Sequence, residues 1–307
     1  METVNIVAPV LVMLLLGMFC RKIKLLTKSG TDIIKKYIIN IALPVNVFHA
    51  MSTAEYNSGV TLIIGMMFII LFVTFGLGFV VSKIAEKPYQ KYFPYLMAVY
   101  EGGMLGYPLY QNLCGSEHLS TIALIDMGCG IFSFGLYFSL LGMMESGNRI
   151  TAKSIAKSAF TSPTFVAVIL GLICGITGGM NAFLQTPLHD LYINIKDIIV
   201  APISAMILLC IGFEFELNKK GLAICIKTVL MRVLLQGIML ILAMIVLNRM
   251  NMDFYTKIGF SLYLMLPPSF CLTSFVKSEE ADKYISTTIS LYMIVTILAY
   301  IVIAFLM

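Results

Sequence analysis

Ten long apolar segments occupy nearly all of this 307-residue chain, and that pattern constrains the fold more than any single motif. Their approximate limits are 4–20, 30–51, 58–82, 91–113, 119–144, 154–178, 188–213, 221–248, 254–276 and 280–306. A soluble domain of this size has too little core for such a sequence, which is 59% hydrophobic and 12% charged, with a mean hydropathy of +0.94. The solvent must be lipid. Hydrocarbon offers no partner to backbone polar groups, so the segments are expected to be helices that bond internally. The short connections leave no room for a separate soluble domain. The sequence therefore predicts an all-α integral membrane protein with ten transmembrane helices.

The basic residues orient it. Arg21, Lys22, Lys24, Lys28, Lys35 and Lys36 follow the first segment, and Lys83, Lys87 and Lys91 the third. Arg149, Lys153 and Lys157 follow the fifth, Lys219, Lys220 and Lys227 the seventh, and Lys277 and Lys283 the ninth. Only Lys196, Arg232, Arg249 and Lys257 fall elsewhere. The positive-inside rule then puts both termini outside the cytoplasmic membrane. The net charge of +5 is a topology signal, and no basic run interleaved with aromatics points to nucleic acid. The N-terminal METVN carries an acid and no basic n-region, so the first apolar run is expected to be a spanning helix, not a leader. Seven cysteines lie mostly in apolar spans without a CxxC pair or a Cys/His cluster, so neither a metal nor another cofactor is expected.

Spacings recur between the halves. APVLVMLLLG (8–17) and SPTFVAVILG (162–171) each place a glycine eight positions after a proline, Pro9 or Pro163. Segments two and seven carry a mid-span proline, Pro44 and Pro202, while segments four and nine are interrupted by GGMLGYP and LMLPPSF. Five spans followed by five put the halves, 1–150 and 151–307, in opposite orientations, an inverted repeat of the kind common in secondary transporters. Proline removes a backbone donor and glycine admits close approach. Non-helical backbone at membrane depth survives only against protein or a wet cavity. If the breaks of segments four and nine meet at the midplane, the N-termini of two half-helices converge there, which suits an anion.

At these residues the chain resembles the auxin efflux carrier family. The resembling stretches are INIALPVNVFHAM (39–51), GGMLGYPLYQNLCG (102–115), SPTFVAVILGLICG (162–175), APISAMILLCIG (201–212) and LPPSF (266–270). The resemblance implies a scaffold of helices one, two, six and seven, with a transport domain formed by the rest. It also implies helices four and nine crossing at Pro108 and Pro267–Pro268 beside a small organic anion, an elevator movement, and a homodimer through the scaffold. Family members commonly carry Asn-Thr-Gly where this chain has Glu101, Gly102 and Gly103.

Glu101 lies about ten residues into its span, roughly 15 Å deep and so near the midplane. An ionised acid there costs at least about 2.5–3.5 kcal/mol before its partners are counted. Proton coupling, contact with a cationic substrate group, and a structural hydrogen-bonded acid are all open to it. Asp126 and Arg232, on segments five and eight, are expected to form a structural ion pair. Lys196 and Asp197 are adjacent, hence about 100° apart on a helix, with Asp197 near the Pro202 bend. Glu214 and Glu216 read as a solvated helix end. Asn40, Asn46 and Ser204 flank the prolines of segments two and seven, with His49 on the same face as Asn46, and Ser269 follows Pro268. Together with Glu101, Gly102, Gly103, Pro108, Pro267 and Pro268, the residues Asn40, Asn46, Ser204 and Ser269 form the candidate substrate site.

The leading expectation is a secondary transporter of a small organic anion, proton-linked through Glu101. Its runners-up are a sodium-coupled symporter of the bile-acid type and a carrier of a cationic or zwitterionic solute. Asp126 and Asp197 lack the GxGD context of an intramembrane protease, so no enzyme is expected. No P-loop is present to use ATP.

Overall fold

The computed structural model describes residues 2–53, 59–85, 87, 89–146, 163–215, 221–276 and 278–307. The basic residues Arg149, Lys153, Lys157, Lys219, Lys220 and Lys277, and Glu216 with them, lie outside the described residues. Helices fall on every apolar segment: α1 (Glu2–Lys22), α2 (Lys28–Tyr37), α3 (Leu43–Thr53), α4 (Gly59–Val81), α5 (Phe93–Met97), α6 (Tyr107–Cys114), α7 (Leu119–Phe132) and α8 (Phe138–Ser146). The second half contributes α9 (Pro163–Ile176), α10 (Gly179–Leu184), α11 (His189–Val200), α12 (Ile203–Glu214), α13 (Leu222–Arg249), α14 (Phe254–Tyr263), α15 (Cys271–Phe275) and α16 (Glu279–Leu306). No strand occurs among the described residues. Among the described residues, four helical stretches of 26 or 28 residues are long and apolar enough to cross a membrane: Gly59–Ile84, His189–Glu214, Leu222–Arg249 and Glu279–Leu306.

Helix α13 shows the inside-out patterning of a lipid-facing span. It buries Thr228, Arg232, Gln236, Met239 and Ala243 at three- and four-residue spacing, while Leu230, Leu234 and Ile241 are exposed. Polar side chains point inward and apolar ones outward because the surrounding solvent is hydrocarbon. Caps close several ends. Asp253 accepts from the Thr256 amide at 2.9 Å to start α14, and Ser278 accepts from the Ala281 amide at 3.4 Å to start α16.

Among the described residues three π-helical turns occur: Ile38–Ala42 and Ser133–Tyr137 lie between α-helical stretches, and Gly102–Gly106 leads into α6. Two of them have a proline as their cause. A proline ring collides with the carbonyl four residues before it. For Pro44 that carbonyl belongs to Asn40 and for Pro108 to Met104, each the central residue of a π-turn. The wider turn relieves the collision without breaking the helix.

The most extensive helix pairings are α1 with α12, and α9 with α3. Glycines set both. A Cβ on Gly17 would overlap the Leu209 carbonyl oxygen, and one on Gly212 would overlap that of Leu14. A Cβ on Gly171 would lie 2.7 Å from the Met51 Cβ and 2.9 Å from the Phe48 oxygen. These neighbours are backbone or stem atoms that cannot swing aside. Gly212→Ala is therefore expected to force α1 and α12 apart at the upper end of the usual overpacking cost, about 3 kcal/mol. A lower unfolding temperature in detergent would register it, and an unchanged one would refute the close approach.

Candidate functional site

Two broken helices meet. The first half of one, α5, ends at Met97, and Ala98–Glu101 leave the helical path before the π-turn and α6 resume it. The other leaves the helical path after α14 and resumes at α15. Tyr100 and Pro268 form an isolated antiparallel bridge, and the Glu101 amide donates to the Pro267 carbonyl at 2.9 Å. Val99 sits at φ 45, where a β-branched residue is strained by about 1–3 kcal/mol. Such strain persists only where the surroundings over-determine it.

The surroundings do so by satisfying the backbone groups that the breaks release. Arg232 on α13 is fully buried and donates to the carbonyls of Leu96, Ala98 (3.1 Å), Val99 (3.3 Å) and Leu266 (3.2 Å). One turn further on, Gln236 donates to the Met97 carbonyl at 2.7 Å and accepts from the Tyr100 hydroxyl. Thr296 on α16 donates to the Met265 carbonyl at 2.6 Å. One guanidinium thus gathers the carbonyl ends of both first half-helices, where the helix dipole is negative. Glu101 does the converse. Its carboxylate accepts from the Phe270 amide at 2.7 Å, the Met104 amide at 3.3 Å and the Ser269 hydroxyl at 3.4 Å, all at the start of the second half-helices. Asp126 on α7 ties the same two broken helices together, accepting from the Tyr107 hydroxyl at 3.1 Å and from that of Tyr263.

A cavity of about 180 Å³ opens beside this crossing, with Glu101, Gly102, Gly103, Asp126, Ser133 and Phe165 in its wall. Each of the three π-turns contributes to that wall, through Ile39, Gly102–Met104 and Ser133. Such turns are rare and frequent at functional sites, so three on one cavity mark it out. A second, larger cavity of about 770 Å³ has Arg21, Glu214, Phe270, Asp282 and Ser290 in its wall. Phe270, whose amide holds Glu101, reaches that second cavity, so the crossing stands between the two.

The expected site is brought together in part. Glu101, Gly102 and Gly103 line the smaller cavity, and Pro267, Pro268 and Ser269 form the crossing with them. Pro108 is buried in the first turn of α6, outside both cavity walls. Asn40 does not belong to the site: it is exposed and donates to the Lys36 carbonyl at 2.8 Å, while Ile39 and Leu43 of the same stretch face the cavity. Asn46 is buried 3.5 Å from the Gln111 side chain, and half-buried Ser204 lines neither cavity.

The charges also rearrange. Asp126 and Arg232 do not pair, because tyrosine hydroxyls satisfy one and backbone carbonyls the other. Asp197 is exposed and pairs with its neighbour Lys196 at 2.7 Å, since a long lysine stem spans the angle between adjacent positions. Glu214 pairs with Lys35 and is not simply solvated. His49 lies 3.2 Å from the Tyr192 hydroxyl, outside both cavities. Sequence reasoning missed Gln236, Tyr107 and Tyr263. Gln236 carried a signal, being a polar residue one helical turn from Arg232 in an apolar span.

A helical chain with two broken helices clasped around buried charges, beside an interior cavity, is built as a membrane transport protein and not as an enzyme. The family model described as membrane transport protein matches residues 3–304, and the chain belongs to that family, the auxin efflux carriers. No curated protein matches the chain.

Proposed function

We propose that this protein is a secondary transporter that binds a small organic solute in the cavity beside the crossing, with Glu101 as the group through which binding and translocation are coupled. The observation that carries the proposal is the Glu101 carboxylate, which holds both second half-helices while forming part of the cavity wall. A solute that engages it acts on both broken helices at once.

The fold proposed is a ten-helix inverted repeat of residues 1–150 and 151–307. The glycine contacts support it: Gly17 meets Leu209 and Gly171 meets Met51. Leu209 and Met51 stand at the same distance beyond Pro202 and Pro44, so corresponding positions make corresponding contacts. The pairings of α1 with α12 and α9 with α3 support a scaffold of α1–α3, α9 and α11–α12, against which the rest moves as an elevator. A homodimer through that scaffold, in the cytoplasmic membrane with both termini outside, completes the proposal.

An organic anion, the solute the resemblance implies, would compete with Glu101 for the Phe270 and Met104 amides, so its binding requires Glu101 to be protonated or to swing away. That requirement would couple anion and proton. In proteoliposomes, Glu101→Gln, a fixed stand-in for the protonated acid, is expected to keep solute exchange within a few-fold of wild type while proton-driven uptake and its pH dependence are lost. Equal rates and pH profiles in both proteins would take Glu101 out of transport.

A further inference from the structure

Among the described residues, two carboxylates and one guanidinium surround the crossing: Glu101, Asp126 and Arg232. When all three are ionised, one negative charge is left over in a region where charge is costly. Arg232 is committed to backbone carbonyls and does not line the smaller cavity. Both carboxylates do line it, and no Lys, Arg or His does among the described residues. An anion entering there would face two acids and find the Phe270 and Met104 amides already bonded to Glu101. A positive group would find two acceptors and supply the missing charge.

A proton alone could neutralise the site, but it needs no room. At about 180 Å³ the cavity has space for several waters, each of which occupies about 30 Å³ in the liquid. Most of its wall is apolar, Leu43, Met104, Phe138, Phe165 and Val168 included, and the two carboxylates are its charged groups. That division suits a short hydrocarbon body carrying one charged end, and aromatic walls favour a cationic head further. The convergence of all three described π-turns on this space is independent of its charge and is the placement such turns take at functional sites.

We propose that the solute is a small organic monocation, its ammonium group set between Glu101 and Asp126 and its apolar body along Leu43 and Phe165. This rests on the solute site placed at the crossing above and replaces the organic anion there. The test is thermal unfolding of the purified full-length protein, titrated separately with butylammonium chloride, sodium chloride and sodium malate at constant ionic strength. A ligand selective for the native state raises its apparent stability in a saturable way. Saturable stabilisation by butylammonium is expected, with its dissociation constant raised at least tenfold in Glu101→Gln and the effect absent in Gly103→Leu. The second variant keeps both carboxylates, so it decides the matter even if Glu101→Gln fails to fold. Malate stabilising the protein where butylammonium does not would overturn the monocation while leaving the crossing as an anion site. Saturation by sodium alone would overturn it in favour of an inorganic coupling ion. Butylammonium acting equally on wild type and Gly103→Leu would move the site elsewhere and overturn both proposals. Silence from all three probes would also overturn the monocation.

Discussion

Arg232→Met is expected to abolish the folded protein. Methionine matches the stem of arginine but donates nothing, so the carbonyls of Leu96, Ala98, Val99 and Leu266 would be left buried together without their partner. Each orphaned group costs about 1–3 kcal/mol, and removing one member of a buried charged network typically costs about 3–5 kcal/mol. That is a large share of the roughly 5–15 kcal/mol by which proteins are stable. The rings of Tyr100 and Tyr292, 4.9 and 5.0 Å from the guanidinium carbon, would lose a cationic partner as well. Arg232→Lys keeps the charge but presents it at a single point, so it should recover only part of the stability. Thermal melting followed by size-exclusion chromatography ranks the three proteins. An Arg232→Met protein as stable as wild type would mean that the broken helices find their partners elsewhere.

Gly103→Leu is expected to do the opposite, keeping the fold and losing the function. A Cβ at Gly103 meets nothing nearer than the Leu43 Cδ2 at 3.9 Å and the Glu101 Oε1 at 4.0 Å, which is ordinary contact. The rest of the leucine side chain would then occupy the cavity of about 180 Å³. Solute affinity should fall at least a hundredfold, about 2.7 kcal/mol, while the melting temperature stays within a few degrees of wild type. The neighbouring glycine provides the control. A Cβ on Gly102 would run into the Asp126 carboxylate and lie 2.5 Å from the Tyr263 hydroxyl, so Gly102→Ala should damage the fold. Retained solute binding in Gly103→Leu would remove this cavity from the transport path.

The sequence by itself determined the solvent, the helical class and the places where helices give way. Hydropathy is a local sum, and apolar runs of this length admit one kind of backbone in lipid. The breaks were legible for the same reason: a proline lacks its N–H whatever surrounds it, and GGMLGYP and LMLPPSF mark where α5–α6 and α14–α15 part. What only the tertiary structure decided is which side chains meet the groups those breaks release. Glu101 and Phe270 are far apart in the chain, as are Arg232 and Leu96, and no spacing rule reaches across such separations. Pairing Asp126 with Arg232 by opposite charge failed because backbone carbonyls and tyrosine hydroxyls were the better-placed partners. Asn40 misled for a related reason: a π-turn alters which residues of a helix share a face, so the cavity received Ile39 in place of its polar neighbour.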